Sequence, residues 1–281
     1  MSTTGTPRRV DAHVHLWRLA RGDYDWMSPD LGVICRDFEI ADLAPLLDRT
    51  GMREVVLVQA AATEAETEFL LGIAAQSRHV AGVVGWVDLA APGVVASLHR
   101  LSASPWLKGI RPMVQFIPDP DWILRKDLAA GWDAVAGLGL ALDCLVTPLH
   151  LRQLHQLLTS RPGLRAVIDH GAKPAIARHE FDEWAAWMTR LARDTTAMCK
   201  VSGLVTEAGT PWTAEDLRPY VEHLIAQFGA GRLLFGSDWP VLNLASDYET
   251  WLRTAELLLS GLTPVERSAV FGGNATAVYR L

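Results

Sequence analysis

Eight short apolar runs alternate with longer segments of helical periodicity along this chain of 281 residues. Most of the runs lack a strict alternation of apolar and polar residues, which is typical of parallel strands covered by helices on both sides. Eight strand–helix units in a chain of this length predict a (β/α)8 TIM barrel. The runs predict strands at 9–13, 54–59, 80–87, 108–112, 140–146, 166–170, 198–203 and 233–237.

The segments between these runs carry apolar residues at helical spacing. They predict helices at 40–50, 64–75, 149–158, 180–192, 214–228 and 246–259. A doubly wound open sheet is the alternative, but it would usually place a glycine-rich phosphate loop after the first strand. Here the first strand continues into His-Val-His-Leu-Trp, and no linker or internal repeat interrupts the chain. We therefore expect a single barrel domain over residues 1–281.

Composition narrows the possible partners and the compartment. The formal net charge is -6 and no basic stretch is present, which argues against binding to nucleic acid. No apolar run approaches the roughly 18 residues that a membrane span needs, and the N-terminus lacks the apolar region of a signal peptide. The three cysteines lie far apart, which favours free thiols in a reducing compartment. We expect a cytoplasmic protein without membrane or nucleic-acid partners, and a homo-oligomer is left open.

Four polar residues stand at the C-terminal ends of predicted strands: His13, His15, His170 and Asp238. A parallel barrel brings such strand ends together at one face. His-X-His alone is a weak signal, and Asp238 could instead be a helix N-cap. A carboxylate directly after a buried strand is costly to bury unless it is paired, however. Together the four residues predict a hydrolytic site, with or without a metal ion, in which Asp238 is the general base.

The adjacent residues Asp169 and His170 lie at the end of the sixth predicted strand. Asp169 and His170 should face opposite sides of the strand. We expect His170 to point into the barrel and Asp169 to bind the flanking backbone. Lys173, at the same strand end, is a candidate for substrate binding. Arg111 ends another strand, where it could grip a carboxylate or polarise a carbonyl; an ion pair at the barrel rim is the alternative.

Two long loops interrupt the regular alternation, at 16–37 and 116–126. Both follow predicted strands, so both should lie at the catalytic face and shape the substrate pocket. Tryptophan faces in such a pocket suit a sugar or another flat ring. We predict that Trp26 and Trp239 contact the substrate.

The ordered set of motifs from about residue 9 to residue 281 resembles the amidohydrolase superfamily. The likeness extends to its amidohydrolase-2 group of sugar and dicarboxylate lactonases, in particular the L-fuconolactonase-like type. That resemblance implies a distorted (β/α)8 barrel in which His13 and His15 are the first-strand pair, His170 the sixth-strand histidine and Asp238 the eighth-strand aspartate. The motifs are Asp-Ala-His-Val-His-Leu-Trp, Tyr-Asp-Trp-Met, Lys-Gly-Ile-Arg-Pro, Val-Ile-Asp-His-Gly-Ala-Lys-Pro, Lys-Val-Ser-Gly-Leu and Phe-Gly-Ser-Asp-Trp-Pro.

The sequence departs from the metal-rich members of that superfamily at two strands. The fifth strand ends without a histidine, and Arg111 stands on the fourth strand where a bridging ligand would be. A two-metal site is therefore not expected. The resemblance implies that no cofactor is obligatory. The alternative is one divalent ion, zinc by preference, held by some of His13, His15, His170 and Asp238.

These features predict a lactonase that opens a sugar lactone to its hydroxy acid. Asp238 would take a proton from the attacking water, and His170, His13, His15 and Arg111 would stabilise the oxyanion. A metal-dependent decarboxylase or hydratase of an unsaturated or aromatic acid on the same barrel is one alternative. A non-catalytic binder of sugar acids is the other.

Overall fold

The protein forms one barrel of eight parallel strands, in the order in which they occur along the chain. The computed structural model describes residues 8–281, so residues 1–7 of the one-domain prediction lie outside the described residues. The predicted TIM barrel is confirmed, and each predicted strand is present within a few residues of its expected bounds. The strands are β1 Val10–Val14, β2 Glu54–Val58, β3 Val80–Gly85, β4 Leu107–Ile110, β5 Ala141–Cys144, β6 Arg165–Ile168, β7 Met198–Val201 and β8 Leu233–Phe235.

Helices cover the outside of the barrel and one of its ends. Of the predicted helices, α1 and α8 have the expected bounds. The sequence did not predict α3, α4, α7, α10 or α11, most of which are short. In residues 8–281 the α-helices are α1 Ile40–Thr50, α2 Glu64–Ala74, α3 Val94–Leu101, α4 Ala129–Gly137, α5 Leu151–Ser160, α6 Asp182–Asp194, α7 Leu204–Ala208, α8 Ala214–Phe228, α9 Tyr248–Leu258, α10 Pro264–Ser268 and α11 Asn274–Tyr279.

The barrel closes between β8 and β1 through the chain segment that carries two predicted site residues. The Asp238 N–H donates to the His13 carbonyl at 2.9 Å, and the His15 N–H donates to the Trp239 carbonyl at 2.7 Å. We call this junction between β8 and β1 the seam. The side chain of Asp11 strengthens it, because one of its oxygens accepts from the Ser237 N–H at 2.8 Å. The seam therefore fixes the first and the eighth strand ends against each other.

The barrel interior has an apolar end and a polar end. Small and β-branched side chains from several strands fill the apolar end, and α11 plugs it with Val278 and Tyr279. Above this layer, Asp143 on β5 and Lys200 on β7 are fully buried. Polar side chains thus begin halfway along the barrel and continue to its C-terminal mouth.

Within residues 8–281, the structure contains no helix long and apolar enough to cross a membrane. The cytoplasmic location stays a prediction.

The space around Gly236, between β8 and Asp238, shows how closely the strands approach each other at the seam. A Cβ atom there would lie 2.8 Å from the Cβ of His13 and 3.0 Å from the Cβ of Ser202. We expect Gly236→Ala to lower the free energy of unfolding by about 1–3 kcal/mol, because three backbones must separate to admit the methyl group. The control is Gly261→Ala, where a Cβ meets no atom within 4 Å. Equal stability of both variants in urea denaturation would contradict close packing at the seam.

Candidate active site

The four residues predicted from strand ends come together at the C-terminal mouth of the barrel. His15 Nε2 lies 3.3 Å from Asp238 Oδ1, His13 Nε2 lies 3.6 Å from it, and His170 Nε2 lies 3.8 Å from it. His13 Nε2 and His15 Nε2 are 3.1 Å apart. All four side chains are buried. Three imidazoles therefore surround one carboxylate oxygen.

The backbone takes an uncommon conformation at two of these residues. His170 has a φ of 54° and Asp238 a φ of 60°, in the left-handed region that non-glycine residues seldom adopt. Such conformations cost free energy and persist where the surrounding contacts hold them. Gly203, after β7, permits one of these contacts, because a Cβ there would lie 2.6 Å from His170 Nδ1. The His170 ring is also held by Ser202 Oγ, 2.9 Å from the same nitrogen.

Hydrogen bonds and burial together set the protonation of the histidines. His15 Nδ1 lies 2.7 Å from the carbonyl of Val58 and donates to it, so Nε2 is the nitrogen that faces Asp238. Burial lowers the pKa of His170 to about 4. Burial and the charge of Lys200 also hold the pKa of His13 well below its usual value. His13 and His170 are thus neutral imidazoles at neutral pH.

Asp238 keeps its negative charge in this setting. Burial by itself would raise the pKa of Asp238, but the neighbouring His170, His15 and His13 outweigh it and hold that pKa below the ordinary range. An anionic carboxylate among neutral imidazoles is the form that a general base requires.

Beneath the four residues lies a buried ion network centred on Lys200. Its Nζ is 2.5 Å from Asp143 Oδ2, 2.9 Å from Asp169 Oδ1 and 3.1 Å from His13 Nδ1. The Tyr279 hydroxyl donates to Asp143 from the plug helix α11, at 2.8 Å. The two carboxylates outweigh the effect of burial and raise the pKa of Lys200, which therefore stays charged. This network supports His13 from below.

The expectation for Asp169 was wrong. Its side chain does not bind the flanking backbone but lies fully buried inside the barrel, near Lys200 and 3.4 Å from His13 Nδ1. The left-handed φ of His170 breaks the simple alternation along an extended strand, so both side chains point inward. Arg111 Nη1 lies 3.4 Å from Asp169 Oδ2 and 3.3 Å from His13 Nε2. The ion pair of Arg111 is thus inside the barrel and not at its rim.

Sequence reasoning missed Lys200 and Asp143 as parts of the site. Both stand inside apolar runs, Met-Cys-Lys-Val and Leu-Asp-Cys-Leu, that were predicted as buried strands. A charged side chain on a buried strand needs a partner of opposite sign. Alternate strands contribute side chains to the same layer of a barrel. Asp143 on β5 and Lys200 on β7 carry opposite charges, so their pairing could have been predicted from the sequence.

A cavity of about 150 Å³ opens onto these groups. Its lining includes His15, Arg111, His170 and Asp238, together with the predicted substrate-binding residues Trp26 and Lys173. Lys173 Nζ also pairs with Glu207 at 2.9 Å. Trp239 is placed differently: it is buried, and its ring packs edge-on against Phe38 at 5.1 Å. Contact of Trp239 with the substrate stays a prediction.

The residues present also fit a single metal ion. His13, His15 and Asp238 offer three ligand atoms that lie 3.1 to 3.6 Å from one another. Tetrahedral zinc, with ligands at about 2.0–2.1 Å, separates them by roughly 3.3 Å, close to this spacing. The guanidinium of Arg111, 3.3 Å from His13 Nε2, opposes a second positive charge there. The donor set therefore accommodates one ion but does not require it for charge balance.

Residues 10–281 match the model of the amidohydrolase family, and the chain belongs to that family. It is 44% identical to a Burkholderia ambifaria protein named L-fucono-1,5-lactonase, over 97% of this chain and 96% of the relative. A Burkholderia multivorans protein of the same name is 35% identical over the same shares of the two chains. A solved amidohydrolase structure from Burkholderia multivorans with bound zinc has a TM-score of 0.91 and 34% identity, covering 97% of this chain and 99% of that one. The resemblance inferred from the motifs is confirmed.

Removal of Lys200 should leave the buried Asp143 without a cation beside it and Asp169 with Arg111 alone, at 3.4 Å. We expect Lys200→Met to lower the free energy of unfolding by about 3–5 kcal/mol, measured by urea denaturation. Lys200→Met combined with Asp143→Asn should recover part of this loss, because it also removes one buried negative charge. If the two changes were additive, Asp143 and Lys200 would not be coupled as the 2.5 Å contact requires.

Another buried carboxylate, Glu66 on α2, holds the loop that follows β2. One of its oxygens accepts from the Ala60 N–H at 2.8 Å, and Ala60 lines the cavity that opens onto Asp238. Burial raises the pKa of Glu66 to about 8, although the Ala60 bond opposes this. The folded protein therefore binds a proton at Glu66 that the unfolded chain releases above its ordinary pKa of 4.5. By linkage, stability falls as the pH rises from that ordinary value through about 8.

We expect Glu66→Gln to flatten this pH dependence, because the amide cannot ionise. The Tm of Glu66→Gln relative to the wild type should rise by a few °C between about pH 6 and pH 9. The matched control is Glu68→Gln, an exposed residue on the same helix. Parallel melting curves for all three proteins across this range would show that Glu66 does not titrate there.

Proposed function

We propose that this protein hydrolyses a sugar 1,5-lactone of the L-fuconolactone type to the open hydroxy acid. The observation that carries the proposal is the Asp238 carboxylate, buried among three imidazoles at the floor of an open cavity. The name L-fucono-1,5-lactonase of two relatives, each aligned over nearly its full length, supports the same substrate class.

In the proposed reaction a water molecule lies between Asp238 and the lactone carbonyl carbon. Asp238 accepts one proton of the water as the water oxygen bonds to that carbon, and the carbonyl oxygen becomes an oxyanion. When the tetrahedral intermediate collapses, the bond from the carbon to the ring oxygen breaks. The proton held by Asp238 passes to that oxygen, which leaves as a hydroxyl group. The low pKa of Asp238 favours this return of the proton.

The cation of Arg111 and N–H groups of the neutral His13 and His170 stabilise the oxyanion in this scheme. Lys200 holds His13 in place for that role, because its ammonium lies 3.1 Å from His13 Nδ1. Arg111 is itself held in place by a bond from its guanidinium to the carbonyl of Gln59. Trp26 and Lys173 line the cavity and would contact the sugar hydroxyls and ring face.

A lactone is an activated ester, and its hydrolysis places a modest demand on the catalyst. If an ion is bound, His13, His15 and Asp238 would hold it, with His170 beside them, and it would supply Lewis-acid polarisation of the carbonyl. The proposal does not depend on such an ion.

The test of Asp238 is the variant Asp238→Asn, assayed with L-fucono-1,5-lactone and a pH indicator. We expect kcat to fall by about 10²- to 10⁴-fold, because the amide cannot accept the proton. Asparagine tolerates the left-handed φ of this position, so the backbone should be retained. Asp247→Asn, at the N-cap of α9, is the matched control and should keep full activity. Near wild-type turnover by Asp238→Asn would exclude Asp238 as the general base.

The same assay, run with and without a chelator, separates the lactonase from its alternatives. Lactone hydrolysis that persists in chelator supports metal-independent chemistry. Loss of turnover in chelator together with stoichiometric zinc in the untreated protein would favour a metal-dependent reaction, including the decarboxylase or hydratase alternative. Tight binding of a sugar lactone without turnover would favour a non-catalytic binder.

A further inference from the structure

A second, larger cavity of about 420 Å³ adjoins the catalytic cavity at the barrel mouth. The two cavities share four lining residues: Trp26, Ala60, Met113 and Phe116. The second cavity lies over the loops that follow β1 to β4. His170 and Asp238, by contrast, follow β6 and β8. The second cavity is thus an extension of the site away from the reacting groups.

The sizes of the two cavities suggest different occupants. The catalytic cavity, at about 150 Å³, lies below the roughly 300–1,000 Å³ that is usual for ligand pockets, and it suits a single ring. The adjoining cavity lies within that range by itself. A monosaccharide lactone seated at Asp238 would therefore leave the larger cavity to another part of the substrate.

The walls of the second cavity combine aromatic faces with carboxylates. Trp26, Trp86 and Trp122 line it, and Asp25 and Asp88 are exposed at its edge. Indole faces pack against the C–H faces of sugar rings, and carboxylates accept hydrogen bonds from hydroxyl groups.

Two of these tryptophans are anchored before any ligand binds, Trp26 through its indole and Trp86 through its backbone. The Trp26 Nε1–H donates to the Ala60 carbonyl at 2.7 Å. The backbone of Trp86 exchanges two hydrogen bonds with Thr67 Oγ1, at 2.7 Å and 2.9 Å. A preformed aromatic wall costs little conformational entropy when a ligand binds.

We propose that this cavity is a subsite for a second sugar ring, so that the substrate class includes aldonolactones that carry a glycosyl group. The proposal rests on the proposed function, because the second ring must be attached to the lactone at the catalytic cavity. A neutral, hydroxylated occupant fits the charges, since Asp23 in the same wall is already paired with Arg21 at 2.5 Å. Hydroxyl groups of a second ring would lie within reach of Asp25 and Asp88 at the rim.

Binding of aldonic acids to the full chain tests the subsite without relying on turnover. D-Gluconate is compared with lactobionate, cellobionate, maltobionate and melibionate by isothermal titration calorimetry. All four disaccharide acids contain a gluconate half, so only the second ring and its linkage differ. We expect at least one of them to bind about tenfold more tightly than gluconate. We expect Trp122→Ala and Trp86→Ala each to reduce this ratio several-fold, because each removes one aromatic face.

The matched control is Trp187→Ala on α6, a partly buried tryptophan that lines neither cavity. Its ratio should equal that of the wild type. The proposal is overturned if all four disaccharide acids bind no more tightly than gluconate, or if the preference survives in both Trp122→Ala and Trp86→Ala. Hydrolysis of L-fucono-1,5-lactone is measured in parallel. Failure of the subsite with intact hydrolysis refutes the second ring alone, whereas absence of hydrolysis refutes the proposed function.

Discussion

The contact on which this site depends is the buried ammonium of Lys200 between Asp143 and Asp169. An isolated charge on a buried strand would be costly, so the three groups are tolerable only together. The network also reaches upward, since Lys200 Nζ lies 3.1 Å from His13 Nδ1. The ammonium that offsets the charge of two buried carboxylates therefore also holds one of the imidazoles of the candidate site. Tyr279 ties this arrangement to the plug helix at the opposite end of the barrel.

The charges of the site bear on whether it needs a metal ion. In a site that depends on an ion, the ion supplies the positive charge that faces the oxyanion. Here Arg111, 3.3 Å from His13 Nε2, and the buried Lys200 already supply positive charge around the imidazoles. The three donor atoms nevertheless keep the spacing of a tetrahedral ligand set. The site therefore has donor atoms for one ion, and Arg111 and Lys200 supply positive charge whether or not an ion is bound.

The sequence predicted the barrel and the four site residues because both follow from position along the chain. Buried parallel strands show themselves as apolar runs, and their C-terminal ends share one face of the barrel. The same reasoning failed at Asp169, because it assumed an extended strand where the backbone of His170 has a left-handed φ. Helix α4 was missed because its apolar residues are not confined to one face, and α3 was missed because it offers only 8 residues over which to detect a period.

The sequence by itself determined the fold class, the family and the chemical types gathered at the mouth, because strand patterning and strand-end residues are local properties. Only the tertiary structure decided which charges pair. Lys200 lies 57 residues from Asp143 along the chain, and no local sequence pattern indicates that their side chains are in contact. The protonation of the imidazoles was equally beyond the sequence, since it depends on burial and on contacts such as His15 with Val58. Burial depends on the packing of many strands together, and it decides which of the site residues are charged.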